Sequence, residues 1–164
     1  MQELNIITRK MLNLKEYQSK RDFNRTSEPR VKKTIGELKK GKKLLYCIQH
    51  HFSKKPHWDL RLEIDGVLKS WAIPKEPPKD KTKRLAIQVE DHPVEYAKFK
   101  GIIPEGNYGA GKVEIWDKGN YELKERTENK IEFILHGKKL KGNFVLVKTH
   151  YGNKPEKSWL FFKV

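Results

Sequence analysis

From Leu44 onward, apolar and polar side chains alternate in short runs bounded by Gly, Pro, Asp and Asn, which is the punctuation of β-strands. The runs are LLYCIQHHF, HWDLRLEI, VLKSWAI, RLAIQV, GKVEIWD, YELKE, IEFIL, KLKGNFVLVK and SWLFFK, and nine of them predict a barrel or a sandwich. Asp65-Gly66 suits the positive φ angles of a two-residue hairpin turn, and Lys118-Gly119-Asn120 predicts a second tight connection, so most pairing is expected to be antiparallel. Between Met11 and Lys20 the spacing changes. Met11, Leu12, Leu14 and Tyr17 recur as on one face of a short helix. Residues 21–43 combine Pro29, Gly36 and Gly41 with a high density of charge and read as loop, either a solvated linker or an arm that orders on a partner.

Composition narrows this picture. The 164 residues fit one domain, expected as a basic helix and arm over 1–43 and a β-domain over 44–164. Thirty-six Lys and Arg against 21 Asp and Glu leave a net charge of +15, so a polyanion is the first partner to consider. Residues 1–44 carry 13 basic and five acidic side chains, over half of the excess in about a quarter of the chain. No apolar run of about 18 residues is present, and the first 25 residues lack an apolar leader, which leads us to expect a soluble cytoplasmic protein with no membrane contact. The single cysteine, Cys47, excludes an internal disulfide and Cys-rich zinc sites, so any metal must be held by His and carboxylates.

Candidate chemistry follows from strand parity. In His57–Ile64, Trp58, Leu60, Leu62 and Ile64 share one face, and His57, Asp59, Arg61 and Glu63 share the other. Leu44, Tyr46, Ile48 and Phe52 form an apolar series on the preceding run, with Cys47, Gln49 and His51 facing away. If Ser53-Lys54-Lys55-Pro56 closes a hairpin, His51 and His57 flank the turn and Asp59 lies one pleat further. Two imidazoles and a carboxylate would then converge, a donor set suited to Mn²⁺, Zn²⁺ or a similar ion, with Arg61 offering a fork to a phosphate. The same pattern also suits the solvated face of a sheet. A second polar group follows the strand from Arg84. Counting by twos, Arg84, Ala86, Gln88, Glu90 and His92 would face outward and Leu85, Ile87 and Val89 inward, bringing His92 towards the first cluster with Tyr96 beyond it. Lys75 reads as a generic exposed lysine. Gly106 to Gly111 holds three glycines without a following helical pattern, which favours a surface loop near a ligand or a bulge over a dinucleotide fingerprint.

These residues together resemble the 3′-phosphoesterase module of bacterial DNA ligase D and its stand-alone archaeal relatives. The resemblance runs through YQSKRDFNRTSEP, QHHFSKKPHWDLRLEIDGVLKSWAIPK, RLAIQVEDHPVEYAKFKGIIPEGNYGAGKVEIWDKG, HGKKLKGNFVLVKT and SWLFFKV. It implies a compact antiparallel β-barrel acting on 3′ DNA ends that finish in a ribonucleotide or a 3′-phosphate. Metal ligands of the family match His51, His57 and Asp59; the phosphate-contacting set matches Arg61, His92 and Arg84, with Tyr96 and Lys75 nearby; and Arg21, Asp22 and Glu28 match an N-terminal contribution to the site. The resemblance further implies a divalent transition metal, with Mn²⁺ first and Zn²⁺, Co²⁺ or Cd²⁺ as alternatives. It also implies a DNA or DNA/RNA primer-template as substrate, and a monomer served by a separate ligase and polymerase. His50 stands where the family commonly has lysine and adds an imidazole beside the expected metal site. His92 is expected to stabilise the transition state or to protonate the leaving oxygen from a near-neutral pKa. The competing reading is a noncatalytic module that holds nucleic-acid ends.

Overall fold

The computed structural model describes residues 2–32 and 43–164, with side chains from Asn5 onward. Ten positions of the expected basic arm, 33–42, lie outside the described residues. Two short helices, α1 (Gln2–Asn13) and α2 (Lys15–Ser19), precede the strands. The helical segment thus begins nine residues earlier than its apolar spacing indicates and breaks at Leu14. Leu14 and Tyr17 are buried, while Leu12 remains 66% exposed.

Nine strands follow: β1 (Leu44–Phe52), β2 (His57–Ile64), β3 (Val67–Ile73), β4 (Arg84–His92), β5 (Gly101–Ile103), β6 (Gly111–Arg126), β7 (Lys130–His136), β8 (Lys141–Lys148) and β9 (Ser158–Lys163). Their order is β1-β2-β3-β4-β9-β8-β7-β6-β5, and β1 also pairs with β6, so eight antiparallel strands close into a barrel with β5 added outside β6. Closure leaves the eight barrel strands without a free edge. The hairpin between β2 and β3 turns on Asp65 (φ 57°) and Gly66 (φ 77°), the two positive angles its sequence calls for. The connection expected at Lys118-Gly119-Asn120 does not exist. GKVEIWD and YELKE are one continuous strand, β6, in which Gly119 lets the His136 carbonyl of β7 approach where a Cβ would stand. β5, only three residues long, was not among the expected runs.

Parity sorts the strand residues into two apolar groups. Tyr46, Ile48, Leu60, Leu62, Trp71 and Phe133 fill the barrel with Phe144 and Phe161, whose rings stack at 5.2 Å. Replacing a ring such as Phe133 with alanine would cost roughly 3 to 5 kcal/mol. The second group lies outside the wall: Cys47, Leu68 and Val113 are covered by Tyr17 of α2 and by Tyr96, Ala97 and Phe99 in and just after the 3-10 turn Val94–Lys98. The N-terminal segment therefore packs over β1, β3 and β4 and roofs a polar face.

β4 departs from simple alternation. Leu68 faces His92 and Ser70 faces Val89, so three steps along β4 oppose two along β3, which marks a bulge. Before it, Ala86 lies in the barrel and Gln88 accepts a hydrogen bond from Trp159 Nε1, while Ile87 and Val89 are half-buried opposite Ala72 and Ser70. Beyond it, Glu90 and His92 reach the N-terminal segment. The single outward row expected from Arg84 to His92 is thus split in two, and His92 reaches the outer face because of the extra residue.

Candidate active site

The hairpin between β1 and β2 sets His51 directly opposite His57 and Gln49 opposite Asp59. His51 Nδ1 and His57 Nε2 lie 3.8 and 3.3 Å from Asp59 Oδ2, and one ligand atom from each residue falls within 4.8 Å of the others. Each ring is oriented by its second nitrogen: His51 Nε2 is 2.6 Å from the Gly109 carbonyl, and His57 Nδ1 is 2.8 Å from that of Lys55. A carbonyl only accepts, so those nitrogens carry protons, and when either ring is neutral its other nitrogen offers a lone pair to the shared centre. Ligands about 2.1 Å from one ion sit roughly 3 to 3.5 Å apart, a set these donors reach with small shifts. The residues fit a divalent transition ion of the borderline class, and three protein donors leave positions open for water and substrate.

Charge at the centre is balanced without the ion. Burial opposes ionisation of Asp59, yet Arg61, His51 and His57 together hold its carboxyl well below the ordinary 3.8. Burial likewise pushes His57 down, but the hydrogen bond and charge of Asp59 outweigh it and leave its pKa raised. Arg61 is 4% exposed. Its Nε donates to Gln49 Oε1 at 2.7 Å, its Nη2 lies 3.4 Å from Asp59, and its plane sits 4.8 Å from the Tyr96 ring centre. Arg61 Nη1 is buried without a partner among the described residues. A buried guanidinium N–H left unpaired beside a His-His-Asp cluster could donate to an oxygen of an anion.

A second layer joins the N-terminal segment to this centre. Glu28 Oε2 accepts hydrogen bonds from Arg21 Nε at 2.8 Å and from the Tyr96 hydroxyl at 2.7 Å, and Thr26 donates to Oε1. Arg21 Nη2 lies 3.3 Å from His92 Nε2, Arg21 Nη1 lies 3.5 Å from Glu90, and the guanidinium sits over Tyr17 at 4.0 Å. His92 Nδ1 donates to the Glu90 carbonyl at 2.9 Å, so Nε2 of the neutral ring is the acceptor for Arg21. Burial first, then the charges of Arg61 and Arg21, hold the His92 pKa well below 6.5, which corrects the expectation of a near-neutral group. Burial also pushes the Tyr96 hydroxyl well above its ordinary value.

Of the residues singled out in the sequence, His51, His57, Asp59, Arg61, His92, Tyr96, Arg21 and Glu28 are brought together. Asp22 is not: it is exposed, accepts the Asn24 N–H and lies 3.7 Å from Arg25. Lys75 is exposed after β3, and Arg84 opens β4 with Nε donating to the Glu76 carbonyl. Both stand at the end of the sheet that carries His57, without contact to the cluster. His50 points to the other face of β1 and stacks on Trp58 at 4.1 Å, so it is no spare metal ligand. Sequence reasoning put Gln49 and Glu90 on polar faces and Gly109 in a loop near a ligand or bulge, but gave none of the three a role. Gln49 shares its face with His51, a signal that was available. Gly109 (φ 75°) is recognisable only from the loop's path, because a Cβ there would stand 3.3 Å from His51 Cε1.

Comparison with known proteins places the chain in a family. The family model described as the DNA Ligase D 3′-phosphoesterase domain matches residues 49–148. The multifunctional non-homologous end joining protein LigD of Pseudomonas aeruginosa is 45% identical over 160 residues, covering 92% of this chain and 18% of that protein. The multifunctional non-homologous end joining DNA repair protein LigD of Mycobacterium tuberculosis is 42% identical, covering 84% of this chain and 18% of its own length. That of Mycolicibacterium smegmatis is 43% identical, covering 90% and 20%. The chain spans about a fifth of the curated relatives it matches. Matched over residues 49–148 and at this level of identity, the chain belongs to the DNA ligase D 3′-phosphoesterase domain family.

Proposed function

We propose that the protein is a metal-dependent hydrolase that removes 3′-terminal ribonucleosides and 3′-phosphates from DNA or DNA/RNA primer strands in end-joining repair. One observation carries this reading: His51, His57 and Arg61 converge on Asp59 Oδ2, with Arg61 Nη1 left unpaired beside them. His51, His57 and Asp59 would hold the ion, Mn²⁺ first and Zn²⁺, Co²⁺ or Cd²⁺ as alternatives. When bound, such an ion neutralises negative charge that builds on a nonbridging phosphate oxygen.

The remaining chemistry belongs to the chain. Arg61 is tied through Nε and Nη2, so Nη1 is presented in one orientation and loses little entropy on taking a phosphate oxygen. His92 is neutral before substrate arrives. A phosphate placed beside it offsets the Arg21 and Arg61 charges and favours its protonation, so His92 gains its proton together with the substrate and can then support the leaving oxygen. Arg21, Glu28 and Tyr96 hold the roof in register, Lys75 and Arg84 reach the substrate from the rim, and Asp22 contacts it from outside the buried network. Water is the nucleophile. The protein works as a monomer in a prokaryotic cytoplasm, on ends shared with a DNA ligase and a polymerase.

The test is incubation of a primer-template ending in a 3′-ribonucleotide, with and without Mn²⁺, for the unaltered protein, His51→Ala and His92→Ala. Shortening should require Mn²⁺ and fall by roughly 10²-fold or more in both variants. Shortening that persists in both would defeat the site assignment, and binding with no shortening by the unaltered protein would favour a noncatalytic end-binding module.

A further inference from the structure

Two open grooves of about 500 and 620 Å³ meet on the outer wall of the barrel, sharing Ile115 and Lys118 of β6. Lys98, Trp116, Lys138 and Lys139 frame the first, and Lys139 Nζ sits 4.5 Å over the Trp116 ring. Lys100 and Ile102 frame the second, where Ile102 is 70% exposed.

The acidic groups facing this wall are already engaged. Glu114 is paired with Lys112 at 2.7 Å. Asp117 is buried, and its carboxylate accepts the Tyr46 hydroxyl and the backbone N–H groups of Lys138, Lys139 and Leu140. These bonds fix the turn that presents Lys138 and Lys139. Lys98, Lys100, Lys118, Lys138 and Lys139 are all exposed, and none has a carboxylate within salt-bridge reach among the described residues. Five uncompensated lysines interleaved with an indole and exposed aliphatic surface form a polyanion track rather than a solvated face of mixed charge.

The track lies close to the site described above, on the other side of the 3-10 turn and Phe99 that cover Cys47 and Val113. Lys118 faces Cys47 across β1 and β6, Val113 faces His51, and Cys47 to His51 is four residues, about 13 Å along an extended strand. With phosphates about 3.4 Å apart along the axis per strand, that reach corresponds to roughly four base pairs. We propose that this groove seats the sugar-phosphate backbone of the duplex behind the reacting 3′ end, by charge and without reading sequence. The inference rests on the phosphoesterase reading and extends it from the terminal nucleotide to the double-stranded part of the substrate.

The experiment measures binding of a fluorescent 3′-phosphate primer-template at several KCl concentrations. It compares the unaltered protein, Lys98→Gln/Lys118→Gln/Lys139→Gln, and a control carrying Lys124→Gln/Lys130→Gln/Lys148→Gln at the opposite end of β6, β7 and β8. The groove variant should bind roughly tenfold or more weakly at low salt, with a log-log salt slope smaller by about 2 to 3. It should keep the turnover of a di- or trinucleotide 3′-phosphate too short to reach Lys118, and this readout together with the thermal midpoint also reports an intact fold. An unchanged slope, or an equal loss in the control, overturns the groove. If the unaltered protein binds with this groove dependence but never shortens or dephosphorylates the primer, the phosphoesterase reading fails while the surface assignment stands.

Discussion

Gln49 Oε1 accepts a hydrogen bond from Arg61 Nε at 2.7 Å, while Nε2 of the same amide donates to the carbonyls of Tyr96 and Phe99 at 2.7 and 2.9 Å. One fully buried side chain thus fixes the guanidinium and docks the 3-10 turn that walls the site. Gln49→Ala leaves a charged N–H and two carbonyls without partners, and should lower stability by about 2 to 4 kcal/mol in urea unfolding. In the folded variant, kcat should fall more than KM rises, because Arg61 loses its orientation. A variant with unaltered kcat would show that Arg61 is held by Asp59 alone.

Gly109 orients His51 from outside the proposed ligand set. Its carbonyl holds His51 Nε2, its positive φ strains any L side chain, and a Cβ there would crowd His51 Cε1 at 3.3 Å. Gly109→Ala should displace the loop, free the His51 ring and weaken Mn²⁺ binding by roughly 10- to 100-fold in a calorimetric titration, with the barrel's thermal midpoint little changed. Unchanged affinity would mean that the hairpin alone orients His51.

Opposite pKa shifts at Asp59 and His57 give the metal-free protein a defined pH response. Asp59 is depressed, so its contribution is present above pH 3.8 and is lost as pH falls through the lower folded value. His57 is raised, so its contribution is complete below pH 6.5 and is lost as pH rises through the higher folded value. The stability difference between the unaltered protein and Asp59→Asn should therefore be largest between about pH 4 and 6.5 and shrink above neutrality, as followed by urea midpoints. Ion binding shows the reverse trend. A proton on His57 competes with the metal, so Mn²⁺ affinity should already decline as pH falls towards 6.5, and a flat profile from pH 8 to 6 would remove His57 from the ligand set.

Much of this was legible in the chain because period-two alternation is a local property. His51, His57, Asp59 and Arg61 could be placed on one face from the Ser53–Pro56 turn alone, and Asp65-Gly66 announced its hairpin. What escaped depends on contacts between distant residues. The β4 bulge puts Ala86 and His92 on opposite faces because β3 register, not the local sequence, decides where an extra residue is absorbed. Gly119 looked like a turn but serves the close passage of β7 over β6. Asp22 and Arg21 are neighbours of similar polarity, yet only Arg21 turns inward, because Glu28, six residues beyond Asp22, returns beneath Tyr96. Resemblance supplied the roof over the site, where periodicity had read only a charged loop.

Crystals of the protein grown with Mn²⁺, measured on both sides of the manganese absorption edge, address the metal centre without relying on activity. A single anomalous peak should lie between His51 Nδ1, His57 Nε2 and Asp59 Oδ2, with Arg61 Nη1 facing the ion's open side. Manganese bound elsewhere, or no peak in crystals of protein whose turnover requires the ion, would contradict the assignment.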